Sequence, residues 1–298
     1  METEQPSDHR CGIVAVAGRP NVGKSTLVNR ILGQELSIVT HKPQTTRNRI
    51  TAIHTMPDAQ LILQDTPGIH EAGTPLNRSL VAAAIKTVEE ADLVLVITTP
   101  METMPDDDRR IIDLVRSAAT AAVLAINKID TVEPPALLPI IEQYSQSYSF
   151  REIVPVCAIS GSGVEELVHV LVRLLPAGPA LFPEDDVSDL PLRFFAGEII
   201  REKIITMTGE EIPYKTAVAV ETFKEGKGNV FIQADIHVER ASQKKILVGK
   251  GGAMIKKIGI AARMKLEDFL GSPVHLELFV KVSPHWTRDT ARLREFGY

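Results

Sequence analysis

Residues 11–26 read CGIVAVAGRPNVGKST, an apolar run that breaks into a glycine turn and then into Lys-Ser-Thr. The run CGIVAVA has the length and composition of a buried strand, and residues 24–33 have those of a helix. A strand that feeds a helix through a tight glycine turn commits the chain to a crossover, and crossovers build parallel sheets. The pattern continues. QLILQDT, ADLVLVITT, AAVLAINK and EIVPVCA read as further buried strands, with helices expected at 75–90, 106–118, 134–147 and 163–175 between and after them. One stretch departs from it: RNRITAIHTMPDAQLILQDT reads as two strands joined at Met-Pro-Asp, a hairpin that puts one antiparallel strand on a sheet edge. The expectation is an α/β domain over 10–176, with a mostly parallel sheet and helices on both faces.

Composition changes at PAGPALFPEDDVSDLP, residues 176–191, where four prolines and four acids fall in one stretch; 177–191 reads as a linker. Beyond it the pattern gives helix (192–207), strand (213–223), a turn at KEGKGN, strand (229–238), helix (241–248), a second glycine loop, helix (252–270) and strand (273–282). That is a second, α+β domain over 192–283 with a tail at 284–298. The net charge of −5 conceals an asymmetry: residues 1–190 hold 15 basic against 25 acidic side chains, and residues 191–298 hold 18 against 13. Eight of the basic residues and no acidic one lie within 240–265, a local patch suited to a polyanion. Cys11 and Cys157 are the only cysteines, so no disulfide framework or cysteine metal site is expected. METEQPSDHR lacks the apolar core of a secretory leader, and no apolar run nears the roughly 20 residues that span a bilayer. A cytosolic location is expected.

GRPNVGKS fits G-x-x-x-x-G-K-[ST] after a strand and before a helix, the setting in which backbone N–H groups cradle phosphate. The N–H groups of Asn21, Val22, Gly23 and Lys24 would wrap a β-phosphate, Lys24 would reach the β- and γ-phosphates, and Ser25 would bind Mg²⁺; Gly18 and Thr26 flank them. DTPG at 65–68 ends the third strand, where Asp65 can hold a metal-bound water and the Gly68 N–H can sense a γ-phosphate, with Thr66 and Pro67 between them. NKID at 127–130 closes the fifth strand, at the edge where ligands bind. The Asp130 carboxylate could accept the N1–H and exocyclic N–H of guanine, a donor pair adenine lacks. Asn127 would tie this segment to the phosphate loop, and the Lys128 stem would cover the base.

These motifs, in this order, resemble a Ras-like GTPase of the translation-factor class, and the resemblance covers residues 10–175. It implies GTP and GDP as ligands, with Mg²⁺. HKPQTTRNR is similar to a first switch segment, with Thr46 or Thr45 completing the metal shell, and Lys24, Thr46 and Gly68 as the residues nearest the chemistry. The final base-contact loop would be VCAISGSG, where Cys157-Ala158 stands for the usual Ser-Ala and the Ala158 N–H would meet guanine O6. Such enzymes place a glutamine after Asp-x-x-Gly to orient water; here the residue is Ile69, so slow intrinsic hydrolysis, or a group supplied by a partner, is expected. Asn21 resembles an asparagine that binds K⁺ in GTPases lacking that glutamine, and it reads equally well as a turn residue.

The second loop, VGKGG, lacks the spacing of the first and joins two helices. Helix–Gly-x-x-Gly–helix, with two strands before and one after, resembles a KH domain of the bacterial type. Gly249, Gly251 and Gly252 would let a sugar-phosphate backbone approach, with Lys244, Lys245, Lys250, Lys256 and Lys257 supplying charge. Ile246, Val248, Ile255 and Ile258 would form core and groove wall. Trp286 with Arg288 reads either as a stacking pair or, with Trp286 packed on the last strand, as structure. The two halves together resemble a bacterial family of ribosome-assembly GTPases. That resemblance implies binding near the 3′ end of 16S ribosomal RNA, a role in 30S assembly, and peripheral contact with the inner membrane; a monomer is expected. The competing readings are an RNA-modifying enzyme gated by GTP and a signalling GTPase whose basic patch meets anionic lipid. Against the first, residues 191–298 hold only scattered histidines (His237, His275, His285) and no paired catalytic set.

Overall fold

The structure, a computed structural model, describes residues 9–40, 42, 45–69, 74–209 and 211–298. These fall into two compact units. The first runs up to Asp189, and the second holds Leu190–Tyr298 together with the described residues of Ile38–Thr45 and of Gly73–Arg78.

The first unit is built on β1 (Arg10–Ala17), α1 (Lys24–Leu32), β2 (Ile50–Met56), β3 (Ala59–Asp65), α2 (Pro75–Glu90), β4 (Leu93–Thr98), α3 (Asp106–Ala118), β5 (Ala122–Ile126), α4 (Leu137–Ser147), β6 (Ile153–Pro155) and α5 (Val164–Leu174). The sheet order is β2-β3-β1-β4-β5-β6, and the β2–β3 pair alone is antiparallel. Every residue of β3, β4 and β5 is buried, as expected of strands covered on both faces. Val94, Val96, Leu124 and Ile126 pack with Ile111, Ile112 and Val115 of α3 and with Ile140 and Tyr144 of α4. Register sets the site: Val16 pairs with Asp65, Ala17 with Val96, and Thr98 with Ile126. The carboxyl ends of β1, β3, β4 and β5 therefore finish side by side, and GRPNVGKS, DTPG and NKID begin at or just past the ends of β1, β3 and β5.

The hairpin is tighter than expected, because Met56 still pairs with Ala59 and Pro57-Asp58 alone make the turn. The helix expected from 134 opens as a 3₁₀ turn, Pro134–Ala136, where two successive prolines supply no N–H donors. The stretch expected as a linker lies along the sheet for most of its length. Gln60 Oε1 accepts from the N–H groups of Leu181 (2.8 Å) and Phe182 (3.0 Å), Ile53 N–H donates to Val187 O (3.0 Å), and Ser188 Oγ donates to Thr51 O (2.6 Å). A free edge on β2 is thereby partly covered.

The second unit comprises α6 (Leu192–Met207), α7 (Glu211–Tyr214), β7 (Thr216–Glu225), β8 (Val230–Val238), α8 (Ala241–Val248), α9 (Ala253–Leu270), β9 (Val274–Val282) and α10 (Thr290–Glu295). Its sheet is β7-β8-β9, antiparallel then parallel, with a bulge between Val220 and Thr222. Ile200 and Ile204 of α6 and Ile258, Ala262 and Leu266 of α9 bury against Ile232, Ala234 and Ile236. Two expectations are corrected. The strand begins at Thr216 rather than at 213, because Pro213 cannot donate to a ladder and sits instead in the short α7. The residues expected as a tail fold onto the unit: Trp286 is fully buried, its indole N–H donates to Lys215 O (3.1 Å), and its ring meets Phe296 edge-on.

Candidate functional site

The phosphate loop is held from both sides by backbone contacts. Gly18 O accepts from Ile69 N–H (3.2 Å) and from Lys24 Nζ (2.9 Å), and Lys24 Nζ also donates to Arg19 O (3.1 Å). Lys24 is 7% exposed, and burial lowers its pKa to about 8 against the opposing pull of Asp65. Glycine is required here by the protein's own packing. A Cβ on Gly23, whose φ is +96°, would lie 2.4 Å from Asn127 Nδ2, and one on Gly68 would lie 2.9 Å from Pro20 Cγ. Asn21 has φ 64°, so its turn role is visible in the backbone.

Ser25, Thr46 and Asp65 converge. Ser25 Oγ donates to Asp65 Oδ2 (2.7 Å) and lies 2.9 Å from Thr46 Oγ1. Asp65 is fully buried, its Oδ1 has no hydrogen-bond partner, and burial raises its pKa. A buried carboxylate with an orphaned oxygen beside two hydroxyls is a hard-oxygen donor set, and it fits Mg²⁺. Thr45 is turned elsewhere: its hydroxyl bonds Thr40 Oγ1 (2.6 Å) and its carbonyl accepts from Arg201 (2.5 Å). His41, Pro43 and Gln44 of the expected switch lie outside the described residues. Thr66 Oγ1 donates to Val16 O (2.7 Å), fixing the turn that carries buried Pro67 and then Gly68. Ile69 itself is buried in the core cluster, so the position that would hold a water-orienting glutamine faces inward.

The base segment is tied to the same loop. Asn127 Nδ2 donates to Val22 O (2.8 Å), and Asn127 Oδ1 accepts from Ala158 N–H (3.0 Å). The Ala158 N–H expected to meet guanine O6 is therefore engaged by Asn127 here. Lys128, expected to lay its stem over the base, has φ 64° and sends its ammonium to Asn21 O (2.8 Å). Asp130 is exposed, and Cys157 Sγ lies 3.1 Å from its Oδ1, a thiol donating at the position where the usual sequence has serine.

Sequence reasoning missed two arginines and a buried carboxylate. Arg30 on α1 donates through Nε to Ala158 O (2.9 Å) and through Nη2 to Ile159 O. Arg19 pairs with Asp108 at the start of α3 (3.3 Å). Both contacts link residues far apart in sequence, and no local pattern marks either of them.

In the second unit the glycine loop is open. Gly249 (φ 73°), Gly251 (φ 58°) and Gly252 (φ 81°) all have left-handed φ, and Lys250 projects outward. Lys244, Lys245, Lys256 and Lys257 are exposed. Beside them lies a groove of about 450 Å³ between α9 and β9, lined by Ile255, Lys256, Gly259, Arg263, His275 and Leu278. His275 stacks on Phe231 with ring centroids 5.4 Å apart. Ile246, expected as core or groove wall, is 54% exposed and so is not core, and Lys265, one of the eight basic residues of 240–265, pairs with Glu202 (2.7 Å). Trp286, being buried, has no face to offer a base; Arg288 remains exposed without it.

A family profile described as 50S ribosome-binding GTPase matches residues 13–128, and a KH-domain profile matches residues 211–287. GTPase Era of Geobacter metallireducens is 50% identical over 97% of this chain and 98% of its own length, and that of Geotalea uraniireducens is 50% identical over the same shares. The chain belongs to the Era family of GTPases. Two solved Era structures superpose with a TM-score of 0.94 at 41% identity, covering 97% of this chain and 99% of theirs. One is an Aquifex aeolicus Era variant bound to GDP and aluminium fluoride; the other is Era with MgGDPNP and nucleotides 1506–1542 of 16S ribosomal RNA. The Ras-like unit and the KH unit of this chain are thus those of an Era GTPase. Among the described residues, no helix is long and apolar enough to cross a membrane.

Proposed function

We propose that this Era-family GTPase is a GTP-timed RNA-binding switch that clamps 16S ribosomal RNA near its 3′ end and assists assembly of the 30S subunit. The observation that carries the reading is the pairing of two unlike glycine loops in one chain. One is enclosed beside a Mg²⁺-compatible oxygen set, and the other is open beside a basic groove. The Era complex with a 16S ribosomal RNA fragment supports the choice of RNA.

Ser25, Thr46 and Asp65 would hold Mg²⁺, which when bound would offset the negative charge of the β- and γ-phosphates. Lys24 presents its ammonium to the same charge, already oriented by two carbonyls. The Gly68 N–H adjoins the turn fixed by Thr66, where a γ-phosphate would be sensed. Asp130 reads guanine. With Ile69 in the core, no side chain at that position orients water, so intrinsic turnover is slow and a partner or K⁺ near Asn21 assists it. Equal rates in KCl and NaCl would rule out the K⁺ part. Gly249, Gly251 and Gly252 admit the RNA backbone, Lys250, Lys256 and Lys257 neutralise it, and bases enter the groove beside His275.

The test is binding of a 3′ 16S RNA segment with and without a non-hydrolysable GTP analogue, comparing the protein with a Lys250→Asp, Gly251→Asp double variant. Tighter binding with the analogue, abolished in the variant, is expected. Equal binding by protein and variant would move RNA recognition off this loop. Loss of binding to anionic vesicles in a charge-only variant, with no RNA binding by the parent, would support the lipid reading instead.

A further inference from the structure

The described side chains of the first unit contain one buried ionic cluster that the nucleotide chemistry does not use. Asp108, in the first turn of α3, is 1% exposed. Its Oδ2 accepts from Thr98 Oγ1 (2.7 Å), Tyr144 OH (2.6 Å) and Arg19 Nε (3.3 Å), and Thr98 and Tyr144 lie 2.9 Å apart. Its Oδ1 has no hydrogen-bond partner, although it stands 3.3 Å from Arg19 Nε. Arg19 is the second residue of the phosphate loop. Its guanidinium is pinned further by Thr99 Oγ1 (2.6 Å) and Met101 Sδ (3.2 Å). Its carbonyl is one of the two acceptors that aim the Lys24 ammonium. Thr98 in turn gives its carbonyl to Asn127 N–H (2.8 Å), so the cluster adjoins the base segment as well.

We propose that Asp108 is a positioning residue for the nucleotide site, acting through Arg19 to fix the loop carbonyl that orients Lys24. A buried ion pair is a poor way to hold helices together, because apolar residues of similar volume usually serve as well or better. The cluster is explained by what it holds still: Arg19 is anchored at its side chain on the β4–α3 segment, and the next residue, Pro20, packs against Gly68. Between those supports the Arg19 carbonyl has one place to be. Tyr144 belongs to the same arrangement, its hydroxyl committed to Asp108 and its pKa raised by burial and by that carboxylate.

Charge and position predict opposite signs. Removing a carboxylate near a phosphate site tightens nucleotide binding if only long-range charge matters. Loss of the anchor weakens it. The inference rests on the loop being the nucleotide site, so the first arm is titration of fluorescent GDP and GTP with the parent; absence of binding there would sink that reading, and this inference with it. Given parent binding, Asp108→Asn is expected to weaken affinity about tenfold, the scale of a lost hydrogen bond to a charged group. Arg19→Ala is expected to do the same, and Asp108→Asn in the Arg19→Ala background to add less than about twofold. Unchanged or tighter binding by Asp108→Asn, or an equal loss in both backgrounds, would overturn the proposal. Should Asp108→Asn not fold, Arg19→Lys decides. It keeps the charge beside Asp108 but loses the fork to Thr99 and Met101, so parent-like affinity would overturn positioning and a loss near that of Arg19→Ala would support it.

Discussion

The two glycine loops solve opposite problems. Around the first, the space a side chain would need is already filled by protein: Ile97 O lies 2.6 Å from a Cβ on Gly18, and Asn127 Nδ2 lies 2.4 Å from one on Gly23. Around the second, a Cβ on Gly251 or Gly252 would meet nothing within 4 Å, and only Gly249 is crowded, by Met254. Lys24 is buried and aimed by two carbonyls, whereas Lys250 is exposed. An enclosed loop of this kind suits a small ligand held at fixed distances. An open one suits a polymer that must slide in along its backbone. The lesson is that Gly-x-x-Gly and Gly-x-x-x-x-Gly-Lys differ less in composition than in who occupies the glycine's empty side.

The largest effect should come from testing that difference directly. Gly23→Ala places a methyl group against Asn127 at a φ that side chains rarely adopt, and strain of this kind is on the order of 1–3 kcal/mol before any clash is relieved. Relief must come from the Asn127–Val22 bond, so guanine-nucleotide affinity is expected to fall roughly 100-fold or more. Gly251→Ala meets no atom and suffers only its backbone angle, about 1 kcal/mol. Its melting midpoint should move by a few degrees at most, with RNA affinity falling severalfold because the ligand now meets the methyl group. Parallel nucleotide titration and RNA binding on both variants would check this. If Gly251→Ala proved as damaging to folding as Gly23→Ala, the open character of the second loop would be wrong.

A smaller effect is expected at Asp130. If Asp130 reads the base as proposed, its carboxylate must be held in place, and Cys157 Sγ lies 3.1 Å from its Oδ1. Cys157→Ser should leave affinity for GDP within about twofold, since a hydroxyl donates at least as well as a thiol. Cys157→Val fills similar space without a donor and should weaken it three- to tenfold, the range for one hydrogen bond to a charged acceptor. Equal affinity for the Ser and Val variants in an inosine-against-guanosine diphosphate comparison would show that Asp130 needs no support.

The fold was readable because the strands of a doubly covered sheet are near-continuous apolar runs, and because Gly, Pro and Pro-Asp sequences mark their ends. ADLVLVITT could hardly be anything but an interior strand, and the motif at its neighbour's end named the edge where the site lies. What stayed hidden was pairing at long range. Arg19 with Asp108, Arg30 with Ala158 and Ile159, and Cys157 with Asp130 each join segments whose local sequences would suit solvent equally well. The structure of the tail was hidden for a related reason. VSPHWTRD has no period, and its structure comes from Trp286 burying against Phe296 and Tyr298, residues whose own contacts exist only once the sheet is formed. Lys128 and Ala158 are a different case: the motif named them for a base, and in this structure the Lys128 ammonium reaches Asn21 O and the Ala158 N–H reaches Asn127 Oδ1.

The second unit has internal polar ties too, and the smallest prediction uses them to ask whether its open loop is independent of its core. His237 lies within β8, away from the glycine loop in sequence, with its Nδ1 2.9 Å from Ser283 Oγ and its ring 4.5 Å from that of Phe296. Burial lowers its pKa, outweighing Asp235, Glu295 and Glu221, which favour the proton; Lys281 acts with burial. A histidine that resists protonation in the folded state contributes stability that is present at neutral pH. That contribution is lost as pH falls below the unfolded value near 6.5, because there the unfolded chain binds the proton first. Melting of the protein between pH 7.5 and 5.5 should therefore fall more steeply than that of His237→Phe, by roughly 1–2 °C. RNA affinity at pH 7.5 should be the same in both. A matching loss of RNA binding in His237→Phe would mean that the open loop depends on this side of the core, and the contrast between an enclosed and an open loop would have to be redrawn around the sheet they do not share.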